Sequence, residues 1–187
     1  MVIERVIVNS SPLIVLFKSQ QAELLPQLFL EILVPEGVFA EVTMAGEDDA
    51  AARQLPNVAW IQTVEVTSIV PEVTAWDLGK GESQVLSLAS TTAECAAVVD
   101  DRAARRCAQT LDIPTIGTGG LLVIAKRRGI ISSISPGIQA LQNAGLWLSE
   151  TVVTLLKQQA GEYLYLKPIL SYLRSCTILD KLGGVEV

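Results

Sequence analysis

This sequence predicts an α/β fold, with a mainly parallel sheet covered by helices on both faces. Three observations predict it. Short apolar runs alternate with helical patterns along the chain. The runs, such as Val6-Ile7-Val8 and Ala96-Ala97-Val98-Val99, are continuous rather than alternating, as in strands buried on both sides. The 187 residues, half of them apolar, are enough for one domain with a substantial core.

Val6-Ile7-Val8 is the first strand, and Asn9-Ser10-Ser11-Pro12 follows at once. Serine then proline signals a helix start, with Ser11 as N-cap and Pro12 at the first helical position. Helices are expected over residues 13–18 and 23–29, and Ile32-Leu33-Val34-Pro35 reads as the second strand. Residues 36–44 form a helix, and 47–54 a short acidic one. A third strand is expected within 58–66, its place in the sheet open. Gly79-Lys80-Gly81 punctuates the start of a helix running to about Ser90. Ala96–Val99 is the next strand, 102–111 a helix, and Ile113-Pro114-Thr115-Ile116 the last strand. Gly117-Thr118-Gly119-Gly120 closes it, as a tight turn with one exposed hydroxyl, and opens a helix to Arg128. Two further helices cover 136–143 and 149–159. Residues 1–160 thus form the α/β unit. Residues 161–187 hold all three tyrosines, Pro168 and Gly183-Gly184, and read as an appendage, either packed on a neighbouring subunit or poorly ordered.

The chain contains no histidine. That excludes a Ser-His-Asp triad, a Cys-His pair, a zinc-water site of the histidine type and an imidazole base. Polar chemistry then falls to carboxylates. Clustered carboxylates repel unless they are protonated or hold a cation, and oxygen ligands favour Mg²⁺ or Mn²⁺. Cys95, Cys107 and Cys176 are odd in number and widely spaced, which points to buried free thiols and a reducing cytoplasm. No apolar stretch reaches membrane-spanning length, and the start lacks the pattern of an export signal. A net charge of −6 gives no long-range attraction to nucleic acid, so any such contact uses local basic groups or metal bridging. A mean hydropathy of +0.42 is high for a soluble chain and suggests a surface that meets a second protomer or another partner.

Sites in open α/β sheets form at the carboxyl ends of strands. Asn9 ends the first strand and Asp100-Asp101 a later one, so both face one crevice. Asp101 has a simpler role as N-cap of the following helix, but two aspartates in a row leave one to explain. Glu82 lies one turn before Val85 and Leu86, so it points with the apolar stripe of its helix; placement near the helix N-terminus accounts for it equally well. Glu41, beside Val42 and three residues after Val38, borders an apolar face; alone it reads as solvated and matters only as one of a set. Arg102, Arg105 and Arg106 share one side of a helix and suit either pairing with the aspartates or a phosphate clamp. Lys126-Arg127-Arg128 complements a helix C-terminus. The glycine-rich turn at 117–120 lacks the third glycine of a dinucleotide fingerprint, where Leu122 stands, and is followed by no GK[ST].

Taken together, the segments Ile7–Ile14, Val34–Val42, Leu78–Leu86, Val98–Arg106 and Ile116–Leu122 resemble PIN-domain proteins, most closely the VapC-like branch of predicted nucleic-acid-binding proteins. The resemblance spans Ile3 to about Gly161 and rests on the order and spacing of the pieces. It implies a Rossmann-like three-layer α/β/α domain and Mg²⁺- or Mn²⁺-dependent endoribonuclease chemistry. It places Glu41, Glu82 and Asp100 or Asp101 at the family's acidic positions, where they act as catalytic residues and metal ligands. The family's first-strand acid falls where this chain has Asn9, which offers a carbonyl oxygen but no charge. Ser10, Arg102, Arg105, Arg106 and Thr118 become candidate substrate contacts. The partners implied are RNA, a cognate antitoxin that covers the apolar surface and inserts a basic residue, and a second copy of the chain. Two other readings stand beside this one. The first is a PIN-fold binding or interaction module weakened by Asn9. The second is a receiver-like phosphate-handling domain, disfavoured by Asn9-Ser10 where acids would be needed.

Overall fold

Val6, Ile7 and Val8 are all fully buried, although successive strand residues face opposite sides. Strand β1 (Arg5–Val8) is therefore covered on both faces, as a central parallel strand must be. The structure is a computed structural model that describes residues 3–44, 46 and 49–162. Four more strands complete one sheet: β2 (Glu31–Pro35), β3 (Ile61–Val64), β4 (Cys95–Val98) and β5 (Thr115–Ile116). Their order is β3-β2-β1-β4-β5, and every pairing is parallel. Val8 registers with Val98, and Ile7 with both Leu33 and Ala97.

Parallel neighbours need crossovers, and helices supply them. They are α1 (Ser10–Lys18), α2 (Leu24–Leu28), α3 (Glu36–Thr43), α4 (Ala50–Gln54), α5 (Pro71–Thr74), α6 (Lys80–Thr91), α7 (Arg102–Thr110), α8 (Thr118–Arg127), α9 (Ser135–Asn143) and α10 (Glu150–Gln159). The chain runs outward from β1 through β2 to β3, then returns to β1's other side for β4. The sheet therefore changes direction between β1 and β4, and the crevice outside their carboxyl ends is where such sheets bind ligands. Helix α6 packs across β1, β2 and β4 and against α3, carrying its first turn to that edge.

The fold is the expected α/β/α arrangement, and the deviations are local. The first helix opens at Ser10 with Asn9 in the N-cap position, so Ser11 is not the cap and Pro12 is third rather than first. Pro12 is still tolerated there, because the missing N–H is one that has no intrahelical partner. Residues 47 and 48 of the expected acidic helix lie outside the described residues; the described helix starts at Ala50, capped by Asp49, which accepts from Ala51 and Ala52. The third strand takes the edge beside β2, preceded by a 3-10 turn at Leu55–Asn57. That turn and the short α5, started by Pro71, carry too little apolar periodicity to be foreseen. The appendage lies outside the described residues from position 163 onward. Cys95 and Cys107 are buried free thiols, and burial pushes both up. No described helix is long and apolar enough to cross a membrane.

Candidate active site

The carboxyl end of β1 delivers Asn9, only 1% exposed. Its backbone N–H donates to Val98 O (3.1 Å), which ties it to the neighbouring end of β4. Its side-chain Nδ2 donates to Glu82 Oε1 (3.0 Å), so it makes no cap bond to its own helix. Its Oδ1 is buried and has no hydrogen-bond partner.

Glu82 comes from the first turn of α6, where Gly79 is N-cap. Its Oε2 folds back over Gly79, so closely that a side chain at 79 would collide with it. A carboxylate there complements the exposed N–H groups of the helix start. The sequence left this role open against an inward-pointing one; both hold, one for each oxygen. Glu41 comes from α3 and is exposed as a residue, yet its carboxylate reaches inward. The meeting point is Gly81. A Cβ at that position would lie 2.8 Å from Asn9 Oδ1 and 3.2 Å from Glu41 Oε2. Only glycine lets these oxygens approach the helix backbone so closely. Asn9, Glu41 and Glu82 are thus brought together from three elements.

The aspartate pair divides. Asp101 caps α7, accepting from Ala104 N–H (2.8 Å), and is exposed. Asp100 is half-buried and turns to the start of α8. Its Oδ1 accepts from Thr118 N–H (2.8 Å) and its Oδ2 from the Thr118 hydroxyl (2.5 Å). Thr118 is fully buried, so the expected exposed hydroxyl at this turn is not found; Asp100 holds it inside. Arg105 completes this side. A Cβ on Gly117 would lie 2.8 Å from Arg105 Nη2 and 3.3 Å from Asp100 Oδ1. Arg102 and Arg106 are exposed on the same helix, and Ser10 is buried at the first position of α1. Lys126-Arg127-Arg128 plays a different part: Lys126 donates to Ser132 O, Arg127 to Gln159 O (3.0 Å) and Arg128 to Leu28 O. Those bonds tie a loop and the ends of α2 and α10 to this helix end.

Among the described residues no three Asp, Glu or Cys side chains form a group able to hold a metal ion by themselves. An amide stands in the middle of the cluster, Asp101 caps its own helix, and both oxygens of Asp100 accept from Thr118. The donor set nonetheless suits a hard cation once Asn9 is counted. Its buried Oδ1 lacks a partner, and a Glu41 oxygen converges with it on Gly81. Sequence reasoning missed Gly81 as the point of convergence and Gln84, a buried amide two residues beyond Glu82. The signal for Gln84 was a polar residue one position before Val85 in an apolar stripe.

Among known protein families, one described as a PIN domain matches residues 5–162. No curated protein matches the chain.

Proposed function

The chain belongs to the PIN-domain family, and on that premise we propose that it is a metal-dependent endoribonuclease hydrolysing RNA phosphodiester bonds. PIN domains have nuclease-type activity on nucleic acid and generally use divalent metal ions. The observation that carries the finer reading is the convergence of Asn9 Oδ1 and Glu41 Oε2 on Gly81, with Glu82 held by the Asn9 amide.

In this reading Asn9, Glu41 and Glu82 hold Mg²⁺ or Mn²⁺. When bound, the ion supplies a water of lowered pKa and offsets charge developing on the phosphate. In this reading Asp100 serves the same crevice from just beyond the neighbouring strand β4. A carboxylate has about four lone-pair positions, so the two bonds from Thr118 leave it accepting capacity. Asp101 serves α7 first and the crevice only through its charge. Arg105, beside Gly117, binds a substrate phosphate; Arg102 and Arg106 extend the positive face, and Ser10 and Thr118 shape the floor. A protein partner belongs to the same proposal, either an antitoxin or a second copy of the chain. The exposed Leu30, Met44, Trp147 and Leu155 support it.

A second reading has its own observation. The Asn9–Glu82 hydrogen bond satisfies a carboxylate that an acid at position 9 would repel, so the cluster is stable without metal. That favours a PIN-fold nucleic-acid-binding module with little or no catalysis. One assay separates the two: cleavage of a labelled RNA with and without Mn²⁺, with a Glu41→Gln, Glu82→Gln double variant as contamination control. Mn²⁺-dependent cleavage lost in the double variant is the expected result. RNA retention with no cleavage by the wild type would establish the binding module instead.

A further inference from the structure

Among the described residues, two fully buried side-chain polar atoms lack a hydrogen-bond partner: Oδ1 of Asn9 and Oε1 of Gln84. Folded proteins hold few such atoms, and each needs a reason. Here both fall on one seam, where α3 packs against α6 beside the end of β1.

The seam is built from two glycine holes. Gly37 and Glu41 lie one turn apart on α3, and Gly81 and Gln84 one turn apart on α6. At one level Gly81 makes room for Asn9 Oδ1 and Glu41 Oε2. At the other, Gly37 makes room for Gln84, whose amide oxygen fills the space a Cβ would take. Each helix thus receives a polar side chain into the other's missing one. Asn9, Glu41, Glu82 and Gln84 bring a row of oxygens to this seam. Of the two amide donors among them, Asn9 Nδ2 is already engaged by Glu82, and Gln84 Nε2 lies against Gly37 beside its own oxygen.

Packing alone does not account for Gln84. The residue is 8% exposed, and an apolar side chain of similar size would fill the same space without leaving a carbonyl unpaired. A buried acceptor kept one helical turn from the point where Asn9 and Glu41 converge suits a donor that arrives with a ligand. Mg²⁺-type ions retain several waters, and those waters are hydrogen-bond donors. We propose that Gln84 is a positioning residue of the metal site: its amide oxygen accepts from the water shell of an ion held by Asn9, Glu41 and Glu82, fixing that ion between α3 and α6. This rests on the metal-dependent reading above.

Mn²⁺ affinity by calorimetry, paired with metal-free melting, tests it on the full-length wild type, Gln84→Met and Gln84→Glu. Gln84→Met is expected to melt a few degrees higher without metal and to bind Mn²⁺ at least roughly tenfold more weakly, as when outer-shell partners of a metal are removed. Gln84→Glu, of equal length but charged, is expected to bind more tightly than the wild type. Wild-type affinity in Gln84→Met overturns the proposal, and so does weaker binding accompanied by a lower metal-free melting temperature, which marks a merely structural residue. Should Gln84→Met fail to fold, unchanged affinity in Gln84→Glu overturns it. A wild type that binds no Mn²⁺ removes the metal reading itself, a result distinct from all of these.

Discussion

At position 9 an amide donates to Glu82 while its own oxygen stays without a donor. In the proposed metal site the carbonyl faces the cation, and the N–H makes the neighbouring glutamate tolerable without one. Asn9→Asp exchanges that N–H for a second carboxylate facing Glu82. A hydrogen bond to a charged group contributes roughly 1.5–3 kcal/mol, and a domain of this size shifts by about 2–4 °C per kcal/mol. The metal-free variant should therefore melt roughly 5 °C lower, and Mn²⁺ should restore the loss and bind more tightly than to the wild type. Thermal melts across a Mn²⁺ titration check this; unchanged melting and an unchanged Mn²⁺ response would place Asn9 outside the site. The directions of Asn9 and Glu82 were legible in the sequence because strand ends and helix stripes fix direction, whereas Glu41 read alone as solvated and joined the set only through the family resemblance. The fate of Asp100 was not legible. Which of two adjacent aspartates caps the helix depends on how the chain leaves β4, and the Thr118 partner lies 18 residues away.

Helices α9 and α10 show how one side chain can join two elements. Ile134, in the N-cap position of α9, provides no side-chain cap. Glu162, just beyond α10, supplies it: its carboxylate accepts from Ile134 N–H (2.6 Å) and from the hydroxyls of Ser133 (3.1 Å) and Ser135 (3.2 Å). Burial pushes this carboxyl up, but those bonds and the charge on Lys126 outweigh it and hold it below its usual value. The folded protein thus prefers Glu162 ionised more strongly than the unfolded chain does. Its contribution is fully present above the usual carboxylate value of 4.5 and is lost as pH falls through the lowered folded value. Glu162→Gln should cost about 1 kcal/mol, the usual worth of a helix cap, at neutral pH. That difference should shrink as the pH drops below 4.5, which melting curves of both proteins at stepped pH would show. A constant difference would mean the charge is irrelevant. At this scale the sequence revealed elements with strong caps or stripes, such as α10 with its Ser149 cap. It was silent on the Glu162 clasp, since a helix capped by a residue of another element leaves no local pattern.

Across the whole molecule, the sheet order assigns the site's chemistry to two sides of one edge. Asn9, Glu41 and Glu82 come from β1, α3 and α6; Asp100, Thr118 and Arg105 come from the ends of β4 and β5 and from α7 and α8. The central strands β1 and β4 are paired, so the two groups stand on neighbouring strand ends about 5 Å apart. Apolar continuity foretold this parallel core, but the strand order that splits the site is a tertiary property that no single segment carries. The division has a functional consequence. Under the proposed function, a protein with a net charge of −6 cannot hold RNA by its overall field, so local cations must do so, and Arg105 is the arginine whose guanidinium reaches Gly117. Arg105→Ala should weaken RNA binding and flatten its dependence on log salt by about 0.7, the share of one single-stranded phosphate contact. It should leave Mn²⁺ affinity unchanged. Glu41→Gln should do the reverse, losing Mn²⁺ while RNA binding keeps its salt slope. RNA titrations at several salt concentrations, beside Mn²⁺ calorimetry on both variants, measure the two effects separately. If Arg105→Ala lowered Mn²⁺ affinity as much as Glu41→Gln does, the two sides of the crevice would be one coupled cluster rather than a metal side and a phosphate side.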